Sequence, residues 1–412
     1  VDASTLSKLL SPEGWALLGS LPPYDERRAM ALAMRLRDDG VDPDLAAAAL
    51  TQSRLRAKTR GKLGSFADGM LFTPDGVEQA TRLVVAALHA RRYLAAGVTK
   101  VADLTSGVGA DALAFAGVGL QVLATDVDEV TAAVATVNLR HFPEAEVRHG
   151  DGLALDLAAE GVDGVYADPA RRTRSGRRVF DPAAYAPPLD AVWALRDVVA
   201  AVGIKVGPGI AHHGLPADAE TQWVSVEGDV VEAGLWFGPL APHGPGRSAL
   251  LLRTFAGSTL TRTLRSDPDD DAEAPDLGAP GAYLYEPDGA IIRAGLVAHA
   301  ARELGGRLLD RTIAYVTTDQ PAPDSAVDPT TGAAPLATGY RVLDVMPFNL
   351  KRLKAYLRER RVGRLTIKKR GTAVTPEQLR AQLALKGDAE ATLVLTRVAG
   401  AQHVLVVEPL AA

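Results

Sequence analysis

The run Val101-Ala-Asp-Leu-Thr-Ser-Gly-Val-Gly-Ala-Asp111 constrains this chain most. A short apolar stretch ends near an acid, two glycines follow one residue apart, and an Ala/Leu-rich segment begins. The pattern predicts a β-strand, a tight turn and a helix N-terminus. Gly107 and Gly109 keep Cβ atoms out of the turn, so its backbone can approach a ligand closely. The helix start adds unpaired N–H groups and a partial positive charge.

The flanking periodicity places this turn in a layered fold. Apolar runs at Val101–Leu104, Gln121–Thr125, Glu146–Arg148, Gly164–Ala167 and Val202–Val206 alternate with helical segments near 110–117, 128–140 and 188–200. Such alternation predicts a doubly wound, mostly parallel α/β sheet. Trp223–Glu227, Val230–Phe237 and Ala249–Thr254 follow without helices between them, which predicts antiparallel strands at one edge of the same sheet. The sheet domain is thus expected over 98–262.

Residues 1–97 read as a helical region. Ser11-Pro12 and Asp42-Pro43 are helix starts, and Thr73-Pro74-Asp75 opens a long helix from Gly76 to about Ala96, with Gly97 its stop. The basic stretch 54–62 reads as a solvated helix face. Residues 263–281 contain an acidic, proline-bearing run that predicts a flexible linker. Beyond it, 282–412 reads as a smaller α/β domain. Its expected helices are Ala290–Leu304, Asn349–Arg360 and Pro376–Leu385; its expected strands are Thr312–Thr317, Tyr340–Val345, Arg364–Lys369, Ala391–Arg397 and His403–Val407.

Composition removes several chemistries. The 412 residues include no cysteine, which excludes disulfides, thiolate metal sites and cysteine nucleophiles. No window approaches a membrane span and no basic-then-apolar leader opens the sequence, so the cytoplasm is the expected compartment. No metal is expected, because His212-His213 has no accompanying acid and reads as loop. Net charge is −5, but the cations are concentrated rather than spread.

Gly107-Val-Gly-Ala-Asp-Ala112 also fits the dinucleotide fingerprint, so a nicotinamide enzyme stays open on the turn alone. Three acids favour S-adenosylmethionine. Asp103 lies in the first strand, where a carboxylate can meet a cationic amino-acid group. Asp126 ends the second strand, where it can accept both ribose hydroxyls, and Asp151 ends the third, where it can accept an adenine amine. Ligands of open α/β sheets bind at these strand ends. Asp128 reads as the cap of the next helix.

The fourth strand ends in Tyr166-Ala-Asp-Pro-Ala-Arg-Arg172, followed by Thr-Arg-Ser-Gly-Arg-Arg178. Asp168 and the Pro169 carbonyl are acceptors suited to an exocyclic amine, and they would orient its lone pair toward a methyl group by alignment. Arg171, Arg172, Arg174, Arg177 and Arg178 form a phosphate handle beside them.

Phe72-Thr-Pro74, Asp103-Leu-Thr-Ser-Gly-Val-Gly109, Thr125-Asp-Val-Asp128, Gly150-Asp151 and Asp168-Pro169 occur in the order found in Rossmann-type methyltransferases. Residues 70–180 particularly resemble the trimethylguanosine-synthase-like branch, which methylates guanine amino groups. The resemblance implies that Asp103, Gly107 and Gly109 hold the methionine part of the donor, with Thr105, Ser106 and Asp111 around the same turn. It gives Asp126, beside Val127, the ribose and Asp151, beside Gly152, the adenine, with Thr73 closing over the donor. In the amino-methylating relatives an aromatic residue follows the proline pair; here those positions are Ala170 and Arg171, whose guanidinium can stack on a base. Tyr166 and Phe180 are nearby aromatics that read as core.

The whole arrangement is similar to bacterial methyltransferases carrying a THUMP-like domain. THUMP domains are RNA-binding modules, so this likeness implies RNA as substrate. Between Arg341 and Arg370 there are eleven Lys and Arg against two acids. Lys351 and Lys354 ride on a helix; Lys368, Lys369 and Arg370 form a turn, all five being candidate phosphate contacts. The expected activity is therefore methyl transfer from S-adenosylmethionine to RNA, at a base amine. A small-molecule or protein methyltransferase, and a non-catalytic RNA-binding protein, remain open on the sequence alone.

Overall fold

Four helices lead the chain: α1 Ala3–Leu10, α2 Pro12–Ser20, α3 Ala29–Asp38 and α4 Pro43–Leu63. Ser11 and Asp42 cap α2 and α4 through their side-chain oxygens, with Pro12 and Pro43 in the first turns, where a missing N–H is harmless. The computed structural model describes residues 3–170, 185–266 and 275–410. It divides into two compact units, 1–206 with 235–244, and 207–234 with 245–412.

The basic stretch of α4 is solvated at Arg54, Lys58 and Arg60, which are exposed, but Arg56 and Lys62 are turned into the fold. Arg56 donates to the Met70 carbonyl at 2.8 Å and Arg60 pairs with Asp68 at 2.7 Å. The Lys62 ammonium donates to the carbonyls of Val77, Glu78 and Ala80, at 2.9, 2.6 and 3.2 Å. These carbonyls lie at the end of α5, Pro74–Gln79. The single long helix expected from Gly76 to Ala96 is consequently two, α5 and α6, Leu83–Ala95. Helix ends leave carbonyls without intrahelical partners, and Lys62 supplies donors where α5 stops. The break turns Thr81 inward, where it is buried.

The first unit continues with β1 Lys100–Asp103, α7 Ala110–Gly117, β2 Gln121–Asp126, α8 Glu129–Asn138, β3 Ala145–His149, β4 Gly164–Ala167, α9 Leu189–Trp193 and β5 Ala201–Val206. The strands lie in the order β3-β2-β1-β4-β5, all parallel. Asp103 is level with Ala124 on one side and Tyr166 on the other, so the strand ends meet at one rim. Between β1 and β4 the order reverses, the point at which such sheets bind ligands. Behind the rim, Tyr93 on α6 packs edge-on against Phe115 and Tyr166, with centroids 5.1 and 6.5 Å away. Gly203 in β5 makes room for this aromatic core: a Cβ there would lie 2.5 Å from the Tyr93 hydroxyl and 2.6 Å from Trp236.

The second unit begins with β6 Glu220–Val226, then β7 Asp229–Trp236, whose last two residues belong to the first unit. Glu227 and Gly228, both at positive φ, make the two-residue turn of this hairpin. β8 Gly246–Phe255 pairs with β6 in parallel, and β9 Ser258–Arg265 pairs antiparallel with β8. The antiparallel expectation therefore holds for the β6–β7 hairpin but not between β6 and β8, because the chain crosses back to the free side of β6 before β8, and β9 was not expected.

The remaining elements are β10 Tyr283–Pro287, α10 Gly289–Ala294, α11 Val297–Glu303, β11 Arg307–Asp310, β12 Ile313–Thr318, α12 Asp324–Val327, β13 Ala337–Pro347, α13 Leu350–Glu359, β14 Val362–Lys369, α14 Pro376–Leu383, β15 Ala389–Val398 and β16 Ala401–Pro409. The helix expected over Ala290–Leu304 is split at Gly295, which caps α10 at φ +72°. Seven strands form one sheet in the order β11-β12-β10-β13-β16-β15-β14, antiparallel except for β14 beside β15. Leu353 and Leu357 of α13 and Leu379 and Leu383 of α14 pack with β14, β15 and β16, burying the apolar stripes of both helices.

Among the described residues no helix is long and apolar enough to cross a membrane, and no group of three or more His, Asp or Glu is placed to hold a metal.

Candidate active site

A cleft of about 790 Å³ opens at the strand-end rim of the first unit. Thr73, Thr105, Ser106, Gly107, Asp111, Asp126, Val127, Asp151 and Asp168 all line it. Residues widely separated in sequence thus converge as the spacing predicted. Asp103, Gly109, Gly152 and Pro169 do not line it. Gly109 starts α7 in the left-handed region, at φ +85°. Gly152 is a packing glycine, since a Cβ there would lie 2.7 Å from Thr125 Oγ1 and 2.8 Å from Leu104. Pro169 is buried, and the next residue, Ala170, exchanges backbone hydrogen bonds of 2.8 and 3.1 Å with Ala186.

Asp103 is 1% exposed. Its Oδ1 accepts from the Thr105 N–H at 3.3 Å, whereas Oδ2 has no partner among the described residues. Burial, followed by the negative charge of Asp111, pushes its carboxyl well above the ordinary carboxylate range. The buried Ser106 hydroxyl is likewise unpartnered. Two orphaned buried oxygens at one turn are costly unless a ligand satisfies them. A cationic amino-acid group fits that need: it would supply donors to both and let Asp103 ionise.

Asp126 Oδ2 accepts from the Gly107 N–H at 3.0 Å and Oδ1 from the Asp128 N–H at 2.9 Å. Burial raises its pKa, and these backbone donors oppose the rise. The carboxylate is thereby fixed over the glycine turn with lone pairs remaining for a diol. Val127 beside it is 71% exposed, an apolar surface open to a flat ring. Asp151 caps a short turn by accepting from the Leu153 N–H at 3.0 Å. Asp128 caps α8, as expected. Thr73 caps α5 by accepting from the Gly76 N–H at 3.0 Å.

Asp111 has a different setting from the one the sequence suggested. Although it borders the cleft, its two oxygens accept from the Thr81 hydroxyl at 2.6 Å and meet His89 Nδ1 at 2.9 Å. Burial pushes its pKa up, but the His89 hydrogen bond and charge, the Lys205 charge and the Thr81 hydroxyl outweigh that and hold it low. The Tyr166 hydroxyl lies 3.3 Å from the same His89 nitrogen.

Asp168 ends β4. Its N–H donates to Thr105 Oγ1 at 2.6 Å, tying the β1 and β4 loops together. Its Oδ2 lies 2.5 Å from the Lys205 ammonium. Lys205, Thr81 and His89 join Asp111 and Asp168 at this site. No local pattern signals them, because each acts through partners distant in sequence. The arginine loop, Arg171, Arg172, Arg174, Arg177 and Arg178, lies outside the described residues, as does Phe180. Tyr166 is core, as expected.

In the C-terminal unit part of the basic excess is spent internally. Lys368 and Arg370 both clasp Glu286, at 2.7 and 3.0 Å, and Lys354 donates to the Gln382 carbonyl at 2.9 Å. Lys351 and Lys369 are exposed.

Comparison with known proteins agrees with this geometry. The THUMP domain-like family matches residues 337–409, and a domain of unknown function (DUF8688) matches residues 2–59. Uncharacterized S-adenosylmethionine-dependent methyltransferases of two Mycobacterium tuberculosis strains, CDC 1551 / Oshkosh and H37Rv, are each 33% identical over 356 residues, covering 84% of this chain and 90% of theirs. A crystal structure of a proposed methyltransferase from Porphyromonas gingivalis W83 has the same fold, with a TM-score of 0.71, 21% identity, and coverage of 95% of this chain and 100% of that one. The chain belongs to the S-adenosylmethionine-dependent methyltransferases and carries a THUMP-like domain at its C-terminus.

Proposed function

We propose that this enzyme methylates RNA, at an exocyclic amine of a base. The observation that carries the reading is the position of Asp168: it borders the same cleft as Asp126, Val127 and Asp151. S-adenosylmethionine supplies an electrophilic methyl group on a sulfonium. Asp103, Ser106 and the Gly107 turn hold its methionine end, Asp126 its ribose, and Val127 and Asp151 its adenine. Thr73 closes the side formed by α5. Asp168 accepts an amine N–H, which orients the nitrogen lone pair toward the methyl carbon.

RNA follows from the THUMP-like module and its charge. The exposed Lys351 and Lys369 attract the phosphate backbone, and the arginines within 171–178 add charge of the same sign. Flipping a base out of a helix costs a few kcal/mol, so a loop or single-stranded target is favoured.

The test is incubation with methyl-labelled donor and total RNA from cells lacking the gene, in parallel with protein and metabolite extracts. Label in RNA, recovered as an N-methylated nucleoside, is expected. Label confined to the other two extracts would remove the RNA reading.

A further inference from the structure

We propose that Lys205 is a positioning residue for methyl transfer, fixing the Asp168 carboxylate in one orientation and in its ionised, acceptor-only form. The proposal rests on Asp168 receiving the target amine.

Lys205 stands on β5, and its side chain is only 12% exposed. Its ammonium lies 2.5 Å from Asp168 Oδ2 and donates to Thr81 Oγ1 at 2.7 Å. The direction of the second bond is forced. A hydroxyl has one proton, and Thr81 spends it on Asp111 Oδ2 at 2.6 Å, so toward Lys205 it can only accept. Asp111 is anchored in turn by His89 at 2.9 Å. Thr81 therefore holds Lys205 as a donor aimed between two carboxylates of the cleft, Asp168 and Asp111. The break between α5 and α6, which Lys62 stabilises, is what brings Thr81 into this position.

An amine nucleophile needs this state. A protonated Asp168 could donate to the amine nitrogen and occupy the lone pair that must attack. An ionised one can only accept. As the N–C bond formed and the donor's sulfonium S–C bond broke to leave a neutral thioether, the nitrogen would become positive and lose one N–H proton to Asp168. The Asp168 side chain is 30% exposed, so it can hand that proton to water while Lys205 stays charged throughout. Around the pair stand Asp103 on β1, Asp111 on α7, Lys62 on α4, Arg82 and His89 at α6, and Tyr166 on β4.

Carbon-13 NMR of aspartate carboxyls, with the Asp168 signal identified by its loss in Asp168→Asn, reads this ionisation without any substrate. In Lys205→Met the Asp168 midpoint is expected to rise by about 1–3 pH units, the effect of removing a close opposite charge. Lys205→Arg should restore most of the shift, and Thr81→Val should show a smaller rise with Lys205 intact. With labelled donor and total RNA, Lys205→Met turnover should fall about tenfold per pH unit below the new midpoint and recover above it, with donor affinity unchanged. An Asp168 midpoint unmoved in Lys205→Met, or a turnover loss equal at every pH, would overturn the proposal. Absence of RNA labelling by the wild type would sink the RNA reading alone, and the NMR titration would still decide Lys205.

Discussion

Gln52 grips the backbone of Phe72 from both sides: its Nε2 donates to the Phe72 carbonyl at 2.8 Å and its Oε1 accepts the Phe72 N–H at 3.0 Å. Both residues are fully buried. One residue earlier, Asn138 holds Leu71 by the same two-sided pairing, at 2.7 and 2.9 Å, and also donates to the Val108 carbonyl at 2.8 Å. Two side-chain amides thus do for residues 71–72 what neighbouring strands do elsewhere, and set the position of Thr73.

Gln52→Leu keeps the volume and leaves a buried N–H and carbonyl without partners. Each such group costs about 1–3 kcal/mol, so a loss of roughly 3 kcal/mol is expected. Chemical denaturation reads it, and amide exchange at Phe72 should accelerate. An unfolding midpoint equal to wild type would show that the segment is held by other means.

Asp103 should couple donor binding to pH. Its folded-state pKa is raised, so ionising it destabilises the free protein, and stability falls as pH rises from the ordinary carboxyl value through the raised one. The donor's ammonium favours the ionised form. Donor affinity should therefore weaken about tenfold per pH unit below the raised value. Asp103→Asn should bind the donor poorly with little pH dependence, yet unfold at a higher temperature at neutral pH. Calorimetric titration across pH, with thermal unfolding alongside, tests both signs.

Gly152→Ala should damage the adenine side without touching a charged group. The added methyl would meet Leu104 and Thr125 within 2.8 Å, and overpacking of this kind costs about 1–3 kcal/mol. Asp151 is adjacent, so donor affinity should fall with stability, whereas a Cβ on Gly150 would meet nothing within 4 Å. Donor affinity equal to wild type in Gly152→Ala would mean the cleft absorbs the methyl.

Two neighbouring cations should separate by role. Lys369 is exposed, and Lys369→Ala should weaken RNA binding and reduce the salt slope by about one. Arg370→Ala should act on stability instead. Burial raises the Glu286 pKa, but Lys368 and Arg370 more than offset it and hold it low. Glu286 then stabilises the fold fully above its unfolded pKa, and this contribution is lost as pH falls through the lowered value. Losing Arg370 should raise that value and start acid unfolding at a higher pH. Equal salt slopes for Lys369→Ala and wild type would remove Lys369 from the RNA surface.

What the sequence revealed follows the range of each signal. β4 was legible to the residue, because the apolar run Gly164–Ala167 is bounded by acids on both sides. β9 was not: Ser258-Thr-Leu-Thr-Arg-Thr-Leu-Arg265 lacks an apolar face on which periodicity could register. The acids at the strand ends were found from local motifs; Asp126, Asp151 and Asp168 do border one cleft, whereas Asp103 is buried and does not line it. Thr81 and His89 meet Asp111 from 30 and 22 residues away, and Lys205 reaches Thr81 across 124. Such partners have no spacing rule. The same holds for the break after α5, which depends on Lys62, and for Glu286, which draws on Lys368 and Arg370.

The three carbonyls held by Lys62 bear on how the enzyme can be divided. A fragment beginning at β1 would contain every strand-end acid and still lack the helix that ends α5 and turns Thr81 inward. It would also lack Gln52. The first 63 residues are therefore no detachable appendage of a self-sufficient catalytic fragment. Swapping this helical segment between relatives would require moving α5 and the start of α6 with it.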